Sequence, residues 1–280
     1  MWSLTNPVSD ELFTMLTSAR VYDLEHPRMV GDPVFPAHWP GYVYTLHRRH
    51  EAGLERRTSA SAQITMAEHS GTHIDALCHQ AEDLHLHGGL PISPRVQGPH
   101  GFSALGIETV APIIRRGVLI DLVRQRGAPV DVGEQVKGSE LSACVEAQGL
   151  VIREGDVVLV RTGNAQRWGQ PDEYLRGCGI AVSGSQWLAD QKVFAVGADL
   201  VAWDLPGFTD PEVGSTLPGH VVLIVRAGIH IIENLQLETL AASGAANFVF
   251  VCLPLKFSGA TGSPVRPIAL VSSPPPPQTH

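Results

Sequence analysis

The sequence predicts a single mixed α/β or α+β domain over residues 1–271, and three observations carry that expectation. Short β-branched apolar runs bounded by Gly, Asp or Pro recur along the chain; the helical patterns between them are fewer; and the two do not alternate one for one. No GxGxxG follows an expected strand and no GxxxxGKS or GxxxxGKT occurs, so a doubly wound nucleotide-binding fold is not expected. A chain of 280 residues, 44% hydrophobic and 17% charged, is long and apolar enough to bury a core.

In chain order, residues 9–19 have a helical pattern, with Leu12, Phe13 and Leu16 on one face and Ser9 placed to cap the start. Residues 21–24 read as a short strand. Residues 26–41 hold four prolines together with Phe35 and Trp39, and Tyr42 lies just beyond. Such a stiff, irregular segment often carries function when it is ordered. Residues 42–46 and 60–67 read as strands, the second with Ile64 and Met66 alternating inward. The runs at 118–122, 157–161, 194–196, 221–225 and 248–253 read as buried strands, and residues 139–148, 183–190 and 237–243 as helices. Residues 272–280, with four consecutive prolines, are expected to form a disordered or extended tail outside the fold.

The formal net charge of −8 argues against a nucleic-acid or anionic-membrane partner, since both need a dense Lys/Arg face. Arg48, Arg49, Arg56 and Arg57 do cluster, but Glu51 and Glu55 interrupt them and make a mixed-charge surface. Cys78, Cys144, Cys178 and Cys252 form no CxxC pair, which predicts neither a disulfide framework nor a thiolate zinc site and suits a reducing compartment. No signal peptide is expected, and no apolar run approaches the roughly 18 residues of a transmembrane helix. The expected location is cytoplasmic.

Thirteen histidines are present, and His69, His73, Asp75 and His79 fall within residues 69–79. Histidine and carboxylate are the donors of hard and borderline divalent metals. Gly71 argues against a regular helix here and lets the backbone wrap, so the side chains can converge. His73 and Asp75, two apart, share a face where the chain is extended. A nitrogen and oxygen donor set without thiolate fits zinc, manganese or iron(II), and protein ligands that leave coordination positions open suit hydrolytic chemistry. His220 closes the run Thr216-Leu217-Pro218-Gly219-His220. Glu233 stands between Ile232 and Leu235, where a carboxylate needs a partner: a metal, a histidine or an arginine. His85, His87 and His100 have no partner at ligand spacing and read as loop residues.

His69-x-Gly71-Thr72-His73-x-Asp75-Ala76-x-x-His79 resembles the HxGTHxDxPxH signature of the cyclase-like metal-dependent hydrolases, the family of bacterial kynurenine formamidase, isatin hydrolase and trans-dienelactone hydrolase. Leu77 replaces the proline of that pattern, and Gln80 follows the last histidine. Asp23-Leu24-Glu25-His26-Pro27 with Gly31-Asp32-Pro33-Val34, the stretch 155–163 and the stretch 228–235 resemble further segments of the family, in its order. The resemblance implies a swivelling β/β/α fold and a homodimer or homotetramer acting on a small-molecule substrate. It also implies one or two divalent ions, Mn2+ or Zn2+. By the same resemblance His69, His73 and Asp75 hold the first metal, and His79, His220 and Glu233 match second-metal positions, with His79 and Glu233 open to proton transfer. The expected reaction is hydrolysis of an amide, lactam or lactone bond by metal-activated water. Phe35 and Trp39 are candidates to wall an aromatic substrate pocket.

Two other readings stand beside this one. His73, Asp75 and His220 could form the two-histidine, one-carboxylate triad of an iron(II) oxygenase, which leaves His69 and His79 unexplained. A non-catalytic protein could hold the metal structurally, but structural zinc sites close their coordination shell, usually with cysteines, and none is at ligand spacing here.

Overall fold

The computed structural model describes residues 9–53 and 55–272, so the expected proline-rich tail lies, apart from Ser272, outside the described residues. The chain opens with helix α1 (Asp10–Ser18) and strand β1 (Arg20–Asp23), followed by an exposed hairpin of β2 (Val43–Arg48) and β3 (Ser61–Thr65). The histidine motif runs through a short strand, β4 (His73–Asp75). There follow β5 (Ile113–Asp121), α2 (Gly138–Ala147), β6 (Val157–Arg161), α3 (Val182–Asp190) and β7 (Ala195–Ala198). The last elements are β8 (His230–Glu233), α4 (Glu238–Ala242), β9 (Asn247–Cys252), β10 (Gly262–Pro264) and β11 (Ile268–Val271).

Nine of these strands form one sheet in the order β1-β11-β9-β5-β6-β7-β8-β4-β10, and the mixed α/β expectation is met. The central strands β5, β6, β7 and β8 run parallel, and a parallel sheet needs both faces covered. Strand β6 shows how: Val157 and Leu159 enter one apolar cluster, Val158 and Val160 the other. Its sequence is therefore continuously apolar rather than alternating. Leu141 and Cys144 of α2 and Leu188 of α3 cover the second cluster. At the functional edge β4 pairs antiparallel with β8, setting His73 opposite Glu233. Strand β10 pairs antiparallel with β4, setting Gly262 opposite Asp75. Among the described residues no helix is long and apolar enough to cross a membrane.

Two expectations need correction. The run 221–225 is not a strand. After one α-turn at Pro218–His220, Val221–Ala227 forms a π-helix that ends on Gly228 at φ 69°. Val221, Val222, Leu223, Ile224 and Val225 are all buried, and a segment buried on every side carries no periodicity to separate helix from strand. Ile64 does not point inward; it is 54% exposed on the hairpin. Helix α1 forms as expected with Ser9 as its cap, the Oγ accepting from Leu12 N at 3.2 Å; its apolar face of Leu12, Phe13 and Leu16 is exposed, and the helix buries no residue.

The proline-rich segment is fastened at two points. His26 stacks flat on Trp168, with ring centroids 4.0 Å apart and 4° between planes. Phe35 packs against the cluster of Tyr174, Val201 and Ala202, which lays the turn Pro36–His38 across the mouth of the site. Burial pushes the His26 imidazole down to about 4, against a backbone hydrogen bond to Leu235. A base whose folded value is depressed keeps its stability above the unfolded value and loses it as pH falls. This group alone is therefore expected to cost roughly 2 kcal/mol of unfolding free energy between pH 7 and 5. Urea titrations at the two pH values check this: His26→Leu removes that part of the loss, and an unchanged loss in the variant would contradict it.

Candidate metal centre

The motif loop is held from behind by Arg28, which donates to the carbonyls of Ser70 and Thr72 and pairs with Glu25 at 2.7 Å. Gly71, at φ 59°, makes this possible. A Cβ there would lie 2.6 Å from Arg28 Nη1, so a side chain would both strain the turn and push the guanidinium off the carbonyls it holds. Asn234 ties the same loop to the end of β8: its Nδ2 donates to Gly71 O at 3.0 Å, and its own carbonyl accepts from Thr72 Oγ1 at 2.6 Å. Tyr174 Oη in turn donates to Asn234 Oδ1 at 2.8 Å.

From this scaffold the expected residues converge. His69 Nδ1 lies 2.9 Å and His73 Nε2 3.6 Å from Asp75 Oδ1. His220 Nε2 lies 3.7 Å from Asp75 Oδ2. Glu233 reaches His73 Nε2 and His220 Nε2, each at 3.3 Å. Its Oε1 also accepts from Trp203 N at 2.8 Å. The partners of this buried carboxylate are thus two imidazoles and a backbone amide, and not an arginine. Donor atoms of His69, His73 and Asp75 fall within 4.8 Å of one another, as do those of Asp75, His79 and His220.

The charges fit a cation at the centre. Burial alone would raise the Asp75 carboxyl, but His79, His69 and His73 outweigh it and hold the group well below the usual carboxylate range. Burial likewise opposes ionisation of Glu233, and His220 and His73 overcome it. His73 and His220 are raised in spite of burial, His73 by Glu233 and His220 by Asp204 and Glu233. His79, partly exposed, is pushed by desolvation down to about 3, against the pull of Asp75, and is neutral at pH 7.

Two observations test whether a divalent ion belongs here. First, His69 Nδ1 and both oxygens of Asp75 are buried without a hydrogen-bond partner. The short approach of Nδ1 to Oδ1 lacks hydrogen-bond geometry and leaves facing acceptors that are costly unless a cation lies between them. Second, three histidines have their outer nitrogen engaged. His69 Nε2 meets Thr261 Oγ1 at 2.8 Å, His73 Nδ1 meets Gly71 O at 2.8 Å, and His220 Nδ1 meets Asp204 Oδ2 at 2.7 Å. This is how metal-binding imidazoles are oriented: one nitrogen hydrogen-bonded outward, the other turned to the ion. The residues fit the group.

The donors open onto a cavity of about 250 Å³ whose apolar wall includes Phe35, Val201, Ala202 and Leu217. Phe35 thus sits where a pocket wall was expected. Trp39 does not: it is 77% exposed and does not line the cavity. Sequence reasoning missed His38, which stacks on His69 with centroids 4.7 Å apart and faces His79 at 6.1 Å across the cavity mouth. It also missed Asp204, which accepts from Gly219 N and His220 N as well as from the ring, and His230, whose Nδ1 bonds Asp75 O at 2.8 Å. No spacing relates these residues to the motif, so no signal in the sequence could have found them.

The family profile described as putative cyclase matches residues 22–205, well over half of the chain. The chain belongs to the cyclase family. The kynurenine formamidase of Bordetella avium is 29% identical over 251 residues, covering 89% of this chain and 97% of that protein. The isatin hydrolase of Roseibium aggregatum is 25% identical over 217 residues, covering 74% of this chain and 73% of its own. A solved structure described as a novel cyclase superposes with a TM-score of 0.81 at 28% identity, covering 92% of this chain and 89% of that one. This member of the cyclase family is thus similar over 89% of its length to a kynurenine formamidase and over 74% to an isatin hydrolase.

Proposed function

We propose that this cyclase is a divalent-metal-dependent hydrolase that cleaves an amide bond, in a formamide or a lactam, of a small aromatic substrate. The observation that carries the reading is the convergence of inward-turned imidazole nitrogens and the unpartnered Asp75 carboxylate on an apolar-walled cavity. Similarity to a formamidase and an isatin hydrolase supports the bond type and the aromatic substrate. His69, His73 and Asp75 would hold one Mn2+ or Zn2+. Asp75, His79 and His220, with Glu233, offer a second position. A divalent ion there supplies Lewis acidity, which acidifies water toward neutrality and polarises a carbonyl.

The chain's own residues do the rest. Phe35, Val201, Ala202 and Leu217 bury the aromatic ring and keep bulk water from the reacting carbonyl. Glu233, fixed by the Trp203 amide, orients the nucleophilic water and takes its proton when water adds to the carbonyl carbon. The proton taken by Glu233 passes to the nitrogen as the C–N bond breaks, and His79, neutral and partly exposed, relays it by accepting on one ring nitrogen and donating from the other. The amine leaves neutral, and the acyl half leaves as the acid, whose remaining proton is lost to solvent. His38, at the cavity mouth, offers a further hydrogen bond to substrate.

The test is a panel of N-formylkynurenine, isatin and a dienelactone, offered to protein stripped by chelation and then reloaded with Mn2+ or Zn2+. Turnover of one of the two amides, lost on stripping and regained on reloading, is expected. Full activity in the stripped protein, or turnover of the lactone alone, would overturn the reading.

A further inference from the structure

Thr261 and Glu68 form an arrangement around His69 that the reaction above does not use. Thr261 Oγ1 and Thr261 N both lie against Glu68 Oε1, the amide at 3.1 Å and the hydroxyl in a shorter contact. On its other side the same hydroxyl meets His69 Nε2 at 2.8 Å. A carboxylate accepts only, and a hydroxyl has one proton to give. The Thr261 proton therefore goes to Glu68, and Oγ1 must accept from His69 Nε2–H. A neutral imidazole with its proton on Nε2 carries its lone pair on Nδ1, and Nδ1 is the atom turned toward Asp75. The chain Glu68–Thr261–His69 thus selects the ring tautomer that can bind a cation.

The backbone supports the same end. Ala76 N donates to Thr261 O at 2.8 Å, which locks Thr261 to the end of β4. Gly262, the next residue, leaves room for the ring: a Cβ there would stand 2.6 Å from His69 Cε1. Thr261 lies 192 residues from His69 in sequence and is brought to it by the β10–β4 pairing.

We propose that Thr261, backed by Glu68, is a positioning residue that fixes His69 as a metal ligand by hydrogen bond and tautomer. The inference rests on the metal-dependent reading above. Outer hydrogen-bond partners of ligating histidines change metal affinity by roughly 10- to 100-fold. Competition of Zn2+ and Mn2+ between the full-length protein and a chromophoric chelator measures this directly. Thr261→Val, which keeps the shape and removes the hydroxyl, is expected to weaken affinity within that range, and Thr261→Ser to restore most of it. Long-range 1H–15N spectra of the metal-free protein are expected to report the Nε2–H tautomer of His69 in the wild type and a mixture in Thr261→Val. Should Thr261→Val not fold, Thr261→Ser and Glu68→Gln carry the test, with near-wild-type affinity expected for the first and weakened affinity for the second. Wild-type affinity in Thr261→Val, or equal loss in the Val and Ser variants, would overturn the proposal. If the wild type bound no divalent ion at all, the metal-dependent reading would fall and this proposal with it. A wild type that binds metal beside an unaffected Thr261→Val removes this proposal alone.

Discussion

Asp75→Asn is expected to fold normally, to hold no stoichiometric metal and to hydrolyse its amide substrate at least about a thousandfold more slowly in kcat/KM. Asp75 is fully buried, and its donor atoms belong to two of the three groups that could hold an ion, the third being His38, His69 and His79. Lewis-acid stabilisation by a bound ion is worth several kcal/mol, and each 1.36 kcal/mol is tenfold in rate, so its loss accounts for roughly three decades. The fold is expected to survive because neither side-chain oxygen has a hydrogen-bond partner to lose, while the Asp75 carbonyl still accepts from His230 Nδ1. Metal per chain by elemental analysis, steady-state kinetics and a thermal melt check the three parts. A variant that kept its metal and its rate would sink the assignment of the centre.

Glu233→Gln separates a chemical role from a structural one. The amide oxygen of Gln can still accept from Trp203 N, so the buried backbone donor is not orphaned and stability is expected to stay within about 1 kcal/mol of wild type. The negative charge is lost, and with it the group that takes a proton from water. General-base catalysis is worth about 10²- to 10⁴-fold, and kcat is expected to fall by that amount. Metal affinity carries a second signature. In the metal-free protein Glu233 supports protons on His73 and His220, which an ion must displace, so apparent affinity rises with pH. Glu233→Gln lowers both imidazoles and flattens that dependence. Affinity measured at pH 6, 7 and 8 checks the sign, and a slope as steep as wild type would contradict it. Glu233→Ala is a poorer probe, because it also strands the Trp203 amide.

Much of the centre was legible because the donors stand in two local groups. His69, His73, Asp75 and His79 declare themselves by residue type and spacing, and Glu233 by a charge set in an apolar run. What stayed hidden acts across the sheet. His230 and Thr261 each touch one ligand from far along the chain and are brought in by strand pairing, while Asp204 reaches His220 from the loop sixteen residues before it. His38 lies in a segment whose path is set by the stacking of His26 and the packing of Phe35, neither of which has a period to read. The fold divided in the same way. Strand β6 appeared at its true bounds, because a parallel central strand is apolar throughout. The run 221–225 has the same composition, and only the proline and glycine around it, Pro218 and Gly228, mark it as helical. The iron(II) triad reading gains nothing from the structure, since His69 and His79 share donor groups with its three residues.

The β10–β4 pairing has a consequence for how the protein acquires its ion. The eleven-residue motif is made first, but the edge that seats Asp75 opposite Gly262 lies far downstream, as does the hydroxyl of Thr261, 192 residues beyond His69. A nascent or truncated chain ending before residue 261 carries the motif without that edge. Tight metal loading is therefore expected to follow the pairing of these strands, and a chain cut before residue 261 is expected to hold the ion more weakly.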